Sequence, residues 1–213
     1  MHQSLATFAA ADTASIPLHA VTSEGLQDWL DTHPGRVRAW LQAVDFKAGN
    51  GETLCVPDAA GGVSLAVFGL GSQKARLRTR FALGAARLKL PRGTYHLASG
   101  IESEALAEQA LGWLLAGYSF DRFRNRPAED NTLPALKAPS GVDAARLEIL
   151  ARAEWLTRDL INTPASQMGP EELETATLAL SEEFGGHVSV TYGDDLLHEN
   201  FPLIHAVGRA SDR

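Results

Sequence analysis

The chain has 213 residues, with 19 Lys and Arg against 26 Asp and Glu, a formal net charge of −7. Hydrophobic residues make up 45% and charged residues 21%, which excludes a disordered chain, and the acidic balance argues against a general nucleic-acid binder. The lone cysteine, Cys55, excludes an internal disulfide and a cysteine-based zinc site and fits a reducing compartment. No apolar run approaches the ~18 residues of a membrane span, and residues 1–15 lack the basic start and apolar stretch of a secretory signal. The expectation is therefore a cytoplasmic α/β protein without membrane or nucleic-acid partners.

In chain order, Ile16 to Val21 reads as a short strand, and Thr22 or Ser23 as the cap of a helix through Leu26, Trp29 and Leu30. His33-Pro34-Gly35 breaks that helix. Arg36 to Ala43 is a second one, with Val37, Trp40 and Leu41 on one face. Thr53 to Val56 is a strand ended by Pro57, and Asp58 to Gly62 is a turn. Val63 to Phe68 is a continuous apolar run, the pattern of a parallel strand buried on both faces. Gly69-Leu70-Gly71 is expected to end it, with a helix from Lys74 to Leu88 beyond. Thr94 to Ala98 is another strand, and Glu102 to Gly117 a helix with Leu106, Ala110, Trp113 and Leu114 on one stripe. This alternation predicts a three-layer α/β domain.

Prolines 127, 134 and 139 and arginines 122, 124 and 126 mark a connection, with an edge strand near Leu133 to Lys137. Ser140, with Asp143 at capping-box distance, is expected to start a long helix to Ile161, stopped by Asn162-Thr163-Pro164. Pro170 opens the next helix and Gly185-Gly186 ends it. Val188 to Tyr192 reads as a strand, with helix again from Asp194. A single strand after Ser140 cannot make a sheet, so the apolar faces there are expected to be covered by strand or helix exchange between copies, or the tail to be partly disordered.

No motif identifies a catalytic centre. Gly69-Leu70-Gly71 has Lys74 where a dinucleotide fingerprint needs its third glycine, so an ordinary strand-to-helix turn is the better reading. Asp194, Asp195, His198 and Glu199 form the one dense metal-like cluster. Asp194 and His198 would lie one turn apart on a helix, but a helix N-terminus with acidic first-turn residues and a solvent-facing histidine explains them as well. Cys55 falls inside a strand and reads as a small buried hydrophobe. Arg122, Arg124 and Arg126 read as a solvated linker or subunit contact, and Trp29, Trp40, Trp113 and Trp155 as core.

Several segments resemble the cytosol (leucyl) aminopeptidase family: Asp159-Leu160-Ile161-Asn162-Thr163-Pro164-Ala165, Met168-Gly169-Pro170-Glu171-Glu172-Leu173, Gly193-Asp194-Asp195-Leu196-Leu197, Glu199-Asn200-Phe201-Pro202 and Ile204 to Ser211. Phe68 to Gly71 and Gly112 to Tyr118 are similar to its N-terminal domain. The resemblance implies a macro-domain-like N-terminal domain over 1–125, a linker over 126–139, and the opening of a catalytic domain over 140–213. It also implies a parent enzyme that is a homo-oligomer, a hexamer in the family, and removes N-terminal residues from peptides with two zinc or manganese ions. The family's metal ligands and assisting arginine lie in segments with no counterpart here. No catalytic, cofactor-binding or metal-binding residue is therefore assigned, and the chain alone is expected to be inert. Two other roles are weighed beside this one: a module binding an ADP-ribose-type ligand near Gly69 to Ser72, and a truncated regulatory partner of a full-length aminopeptidase.

Overall fold

A computed structural model describes residues 6–123 and 133–211. Its contacts divide the chain into two compact units, Met1–Trp155 and Leu156–Arg213.

The first unit is built on a five-stranded sheet in the order β2-β3-β1-β4-β5. The strands are β1 (Ile16–Thr22), β2 (Thr53–Pro57), β3 (Val63–Gly71), β4 (Thr94–Ser99) and β5 (Ala135–Leu136). β3, β1, β4 and β5 are mutually parallel, with Leu18 beside Ala66, Pro17 beside His96 and Thr94 beside Ala135. β2 runs antiparallel on the edge of β3, Cys55 opposite Ala66. The apolar run of β3 has the expected cause. Ala66, Phe68 and Leu70 enter one core, and Leu65 and Val67 enter a second on the opposite face.

Helices α1 (Leu26–Asp31) and α2 (Gly35–Ala43) cover one face, packing Leu30, Val37 and Leu41 against Val21, Val56 and Val67. The other face carries α4 (Leu83–Arg87), α5 (Ser103–Leu115) and the start of α6 (Ala144–Asn162), while the short α3 (Gln73–Arg76) follows β3 and buries no residue. There Leu83, Ala86, Ala110, Trp113, Leu114, Leu147, Ala151 and Trp155 join Leu18, Phe68 and Tyr95 in the larger core. The three-layer α/β architecture is as the alternation predicted.

Local expectations fail where tertiary contacts decide. Neither Thr22 nor Ser23 caps α1: the Thr22 hydroxyl accepts from Gly25 N–H (3.0 Å), and the Ser23 hydroxyl donates to the Ala48 carbonyl. The helix expected from Lys74 to Leu88 is broken into α3 and α4. Phe81 between them takes a left-handed conformation (φ 56°), which no continuous α-helix accommodates. α4 then crosses α5 at two glycines. A Cβ on Gly84 would stand 2.7 Å from the Gly112 carbonyl, and one on Gly112 would stand 2.7 Å from Phe81 Cβ. α6 starts four residues after Ser140, where the Asp143 carboxylate accepts from Arg146 N–H (3.0 Å). Trp40 is not core; it is 40% exposed, with its indole N–H donating to the Cys55 carbonyl at 3.1 Å.

The second unit comprises the end of α6, α7 (Pro170–Phe184), α8 (Asp195–His198) and α9 (Pro202–Gly208). Its helix signals work as written. The Thr163 hydroxyl donates to the Asp159 carbonyl as α6 ends (2.7 Å). Glu172 reaches back to accept from Gly169 N–H (2.8 Å), and Gly185 closes α7 at φ 64°. Val188 to Tyr192, expected as a strand, has no regular secondary structure and belongs to no ladder among the described residues. β-branched residues favour extended backbone, but a strand also needs a partner edge to pair with.

Candidate functional site

Around the Gly69 to Ser72 segment, the amides of Gly69, Gly71, Gln73 and Ala75 are already engaged and are not available to a phosphate. Gly69 N–H donates to the Glu52 carbonyl (2.7 Å) and Gly71 N–H to the Ala48 carbonyl (2.9 Å). Gln73 N–H donates to the Glu24 carboxylate (2.8 Å) and Ala75 N–H to the Ser72 hydroxyl (3.3 Å). The loop carrying Ala48 and Gly49 lies so close that a Cβ on Gly69 would overlap the Gly49 carbonyl. Glu24 also pairs with Arg76 (3.1 Å), and these hydrogen bonds, Gln73 N–H foremost, hold its carboxyl below the usual range. The glycines of β3 serve close backbone packing; the strand continues through Gly69 and ends, as expected of this segment, at Gly71. An ADP-ribose-type ligand finds no free amide at Gly69, Gly71, Gln73 or Ala75.

The acidic cluster does not converge. Asp194 sits at the N-terminus of α8, and its carboxylate meets His205 of α9 at 3.1 Å, not His198. Asp194 is largely exposed. Among the described residues, no three His, Cys, Asp or Glu side chains are grouped so that they could hold a metal ion. Cys55 is a half-buried free thiol whose pKa is pushed up by burial, the opposite of an activated nucleophile. Arg122 lies over the Phe123 ring; Arg124 and Arg126 fall outside the described residues.

Sequence reading misses an aromatic and imidazole cluster among the described residues of the first unit. His19 of β1 meets the Trp29 ring edge-on at 5.3 Å and the His33 ring at 5.1 Å, while His33 stacks on Trp29 at 3.8 Å. His19 Nδ1 is hydrogen-bonded to the Ser99 hydroxyl (2.8 Å), and His33 Nδ1 lies 2.8 Å from the Trp29 carbonyl. That carbonyl only accepts, so His33 donates from Nδ1. Burial, then the neighbouring His33 and His96, lowers the His19 pKa to about 4, so the ring is neutral near pH 7. The cluster fastens α1 to the sheet. Its only sequence signal is the placement of His19 on the same strand face as Val21, which gives no hint of Trp29 and His33.

Arg87 is a second missed residue. Only 3% exposed, it donates through one guanidinium nitrogen to the Trp113 and Leu114 carbonyls at the end of α5 (2.9 and 3.2 Å). It thus supplies a cation and donors where a helix exposes its last carbonyls. Burial lowers its pKa to about 10, which leaves it charged. Its role is structural.

The polar clusters just described are thus accounted for by folding. A model of the M17 aminopeptidase N-terminal domain matches residues 16–134, and one of the cytosol aminopeptidase family catalytic domain matches residues 155–213. The chain belongs to the M17 aminopeptidase family. A probable cytosol aminopeptidase of Leifsonia xyli subsp. xyli is 28% identical over 203 residues, which is 91% of this chain and 39% of that protein. Peptidase B of Cronobacter sakazakii is 39% identical over 71 residues, or 32% of this chain and 16% of that protein. Among solved structures, the cytosol aminopeptidase of Coxiella burnetii superposes with a TM-score of 0.85 at 30% identity, covering 98% of this chain and 44% of that one. The bottromycin maturation enzyme BotP shares the fold, with a TM-score of 0.70 at 23% identity over 94% of this chain and 44% of that one. The chain spans about two fifths of the cytosol aminopeptidases it matches along nearly its whole length.

The family is metal-dependent. A two-metal hydrolytic centre needs several carboxylate or imidazole ligands converging on ions ~3.5–4 Å apart. The described residues do not fit one: the nearest approach is the exposed Asp194–His205 pair, which has no further ligand beside it. No hydrolytic step is assigned to them.

Proposed function

We propose that this chain is the N-terminal portion of a leucyl-type metalloaminopeptidase and that its own work is architectural. The first unit is a self-sufficient α/β body for packing and oligomer assembly. The second is the opening of the catalytic domain, whose helices need further apolar surface to pack against. The parent activity is release of N-terminal residues from peptides in the cytoplasm by a homo-oligomer, a hexamer as in the family. Two zinc or manganese ions, held by residues other than those described here, would polarise the scissile carbonyl and supply hydroxide. Neither nucleic acid nor membrane is a partner in this reading; among the described residues no helix is long and apolar enough to cross a bilayer.

One observation carries the proposal. Among the described residues from Leu156 onward no apolar side chain is buried, while Ile161, Tyr192, Leu203 and Val207 are each more than 70% exposed. A unit of four helical segments with such surface is built to meet something else.

The test is hydrolysis of leucyl peptides by the purified chain with added zinc or manganese. The expected outcome is no release above the metal-only blank. Chelator-sensitive release of leucine that co-elutes with the chain would overturn the proposal. Sedimentation of the same sample reads the architectural half: self-association is expected, and a dispersed monomer at all concentrations would count against it.

A further inference from the structure

α1 and α2 cover only part of their face of the sheet. The core beneath them takes residues from β1, β2 and β3 but none from β4 or β5. Strand alternation dictates what the remaining part presents. Tyr95 of β4 and Leu136 of β5 are buried in the core on the opposite side. His96 and Lys137, each one residue further along, therefore emerge on the uncovered face. Ser15, one residue before the core-packed Ile16, joins them. The chain then turns through Pro139 and Ser140, and borders an open hollow of about 350 Å³ lined by Ser15, His96, Leu97, Lys137, Pro139 and Ser140 among others.

We infer that this hollow is a binding site for a small monocarboxylate. Its volume lies within the range of small-molecule pockets. Its lining holds one ammonium, one imidazole and two hydroxyls, and no carboxylate, in a chain of net charge −7. Lys137 makes no ion pair among the described residues; its backbone N–H serves the sheet, donating to the Tyr95 carbonyl (2.8 Å). Ser15 Oγ and His96 Nδ1 are 3.0 Å apart. If the hydroxyl donates, the imidazole keeps its proton on Nε2; if the imidazole donates, the hydroxyl proton is free. Either arrangement leaves the pair with one donor to offer an anion. One cation with flanking neutral donors suits a monoanion better than a phosphate dianion, and Ala138 and Pro139 supply an apolar edge for a short side chain.

The same chemistry is carried by a free amino acid and by a peptide C-terminus, and the experiment separates them. The full chain is titrated with leucine, N-acetyl-L-leucine, N-acetyl-L-leucinamide and inorganic phosphate, and the imidazole resonances of His96 and His33 are followed by NMR. Saturable shifts of His96 but not His33 are expected with at least one of the two carboxylates. Leucine alone would identify a free amino acid, and N-acetyl-L-leucine a peptide end. The amide is expected to be inert, Lys137→Gln to weaken binding about fivefold, and Lys137→Arg to retain it. Equal binding of the amide, tighter binding of phosphate, an unaffected Lys137→Gln, or no saturable shift with either carboxylate would each overturn the assignment.

Discussion

Gly112→Ala sets helix propensity against tertiary packing, because the two forecast opposite signs. In an exposed helix interior, replacing glycine by alanine stabilises by about 1 kcal/mol. At Gly112, in the last turn of α5, the new Cβ would stand 2.7 Å from Phe81 Cβ, 2.8 Å from its Cα and 2.9 Å from its carbonyl oxygen. Relaxed carbon–carbon contacts lie at ~3.5–4.0 Å. Phe81 cannot readily withdraw. It is held at φ 56°, its carbonyl accepts from Gly84 N–H (3.0 Å), and Gly84 itself abuts the Gly112 carbonyl. Overpacking a core costs ~1–3 kcal/mol, and three such contacts against a fixed neighbour place this site at the upper end. Subtracting the propensity gain leaves a net loss of about 2 kcal/mol, roughly 30-fold in the unfolding equilibrium and about 4–8 °C in the melting temperature of the first unit. Guanidinium denaturation followed by tryptophan fluorescence measures it. Gly35→Ala is the control: its Cβ would meet nothing within 4 Å at the start of α2, so a small gain is expected. A Gly112→Ala midpoint at or above that of the wild type would refute the reasoning.

Three further outcomes are expected. Because the folded pKa of His19 lies at about 4, below the unfolded value of 6.5, the unfolded chain binds more protons between those values. The stability of the first unit should therefore be full above pH 6.5 and fall as pH drops toward 4, by on the order of 1 kcal/mol after allowing for the exposed part of the ring; His19→Gln should flatten that part of the profile of denaturation midpoint against pH. Arg87→Ala removes a donor shared by two helix-end carbonyls and opens a cavity, so a loss of about 2–4 kcal/mol is expected by chemical denaturation; a loss under about 0.5 kcal/mol would contradict the capping role. In the chain alone, hydrogen exchange of the amides of α7 and α9 should approach the unprotected rate while α5 stays protected; equal protection of α5 and α7 would show that the second unit needs no further surface.

What could be read from sequence was governed by how local the cause is. β3 was legible because burial on both faces leaves an uninterrupted apolar run, and α5 because Ala110, Trp113 and Leu114 recur at helical spacing. The break between α3 and α4 was not, since it rests on the Phe81 backbone and on a close approach of two glycines distant in sequence. The same limit applies to the polar residues. Asp194 finds His205, eleven residues away on another helix, in place of His198 one turn along. His19 and His33 look unremarkable singly and become a cluster only when α1 folds back onto β1. The family resemblance was legible in the segments after Leu156 because they are contiguous motifs, and those are also the residues that the catalytic-domain model matches.

The two units obey the same local rules with different results, and the difference locates what the second one lacks. α7 has a proline at its first turn, acids at its positive end, a glutamate reaching back to the Gly169 amide and a left-handed glycine to close it. Such signals contribute roughly 0.3–1.5 kcal/mol each, while an isolated helix of ~15 residues remains marginal in water because nucleation is costly. α5, with a weaker start and no side-chain cap, is the securer helix, because Trp113, Ala110 and Leu114 are each at most 1% exposed. Capping decides where these helices begin and end; burial decides whether they persist. The first unit meets both conditions from its own residues. The second meets only the first, with Leu173, Leu178 and Phe184 of α7 and Leu203, Ile204 and Val207 of α9 left in water. Its fixed structure therefore depends on apolar surface supplied from elsewhere, which the proposed reading assigns to the rest of the aminopeptidase catalytic domain.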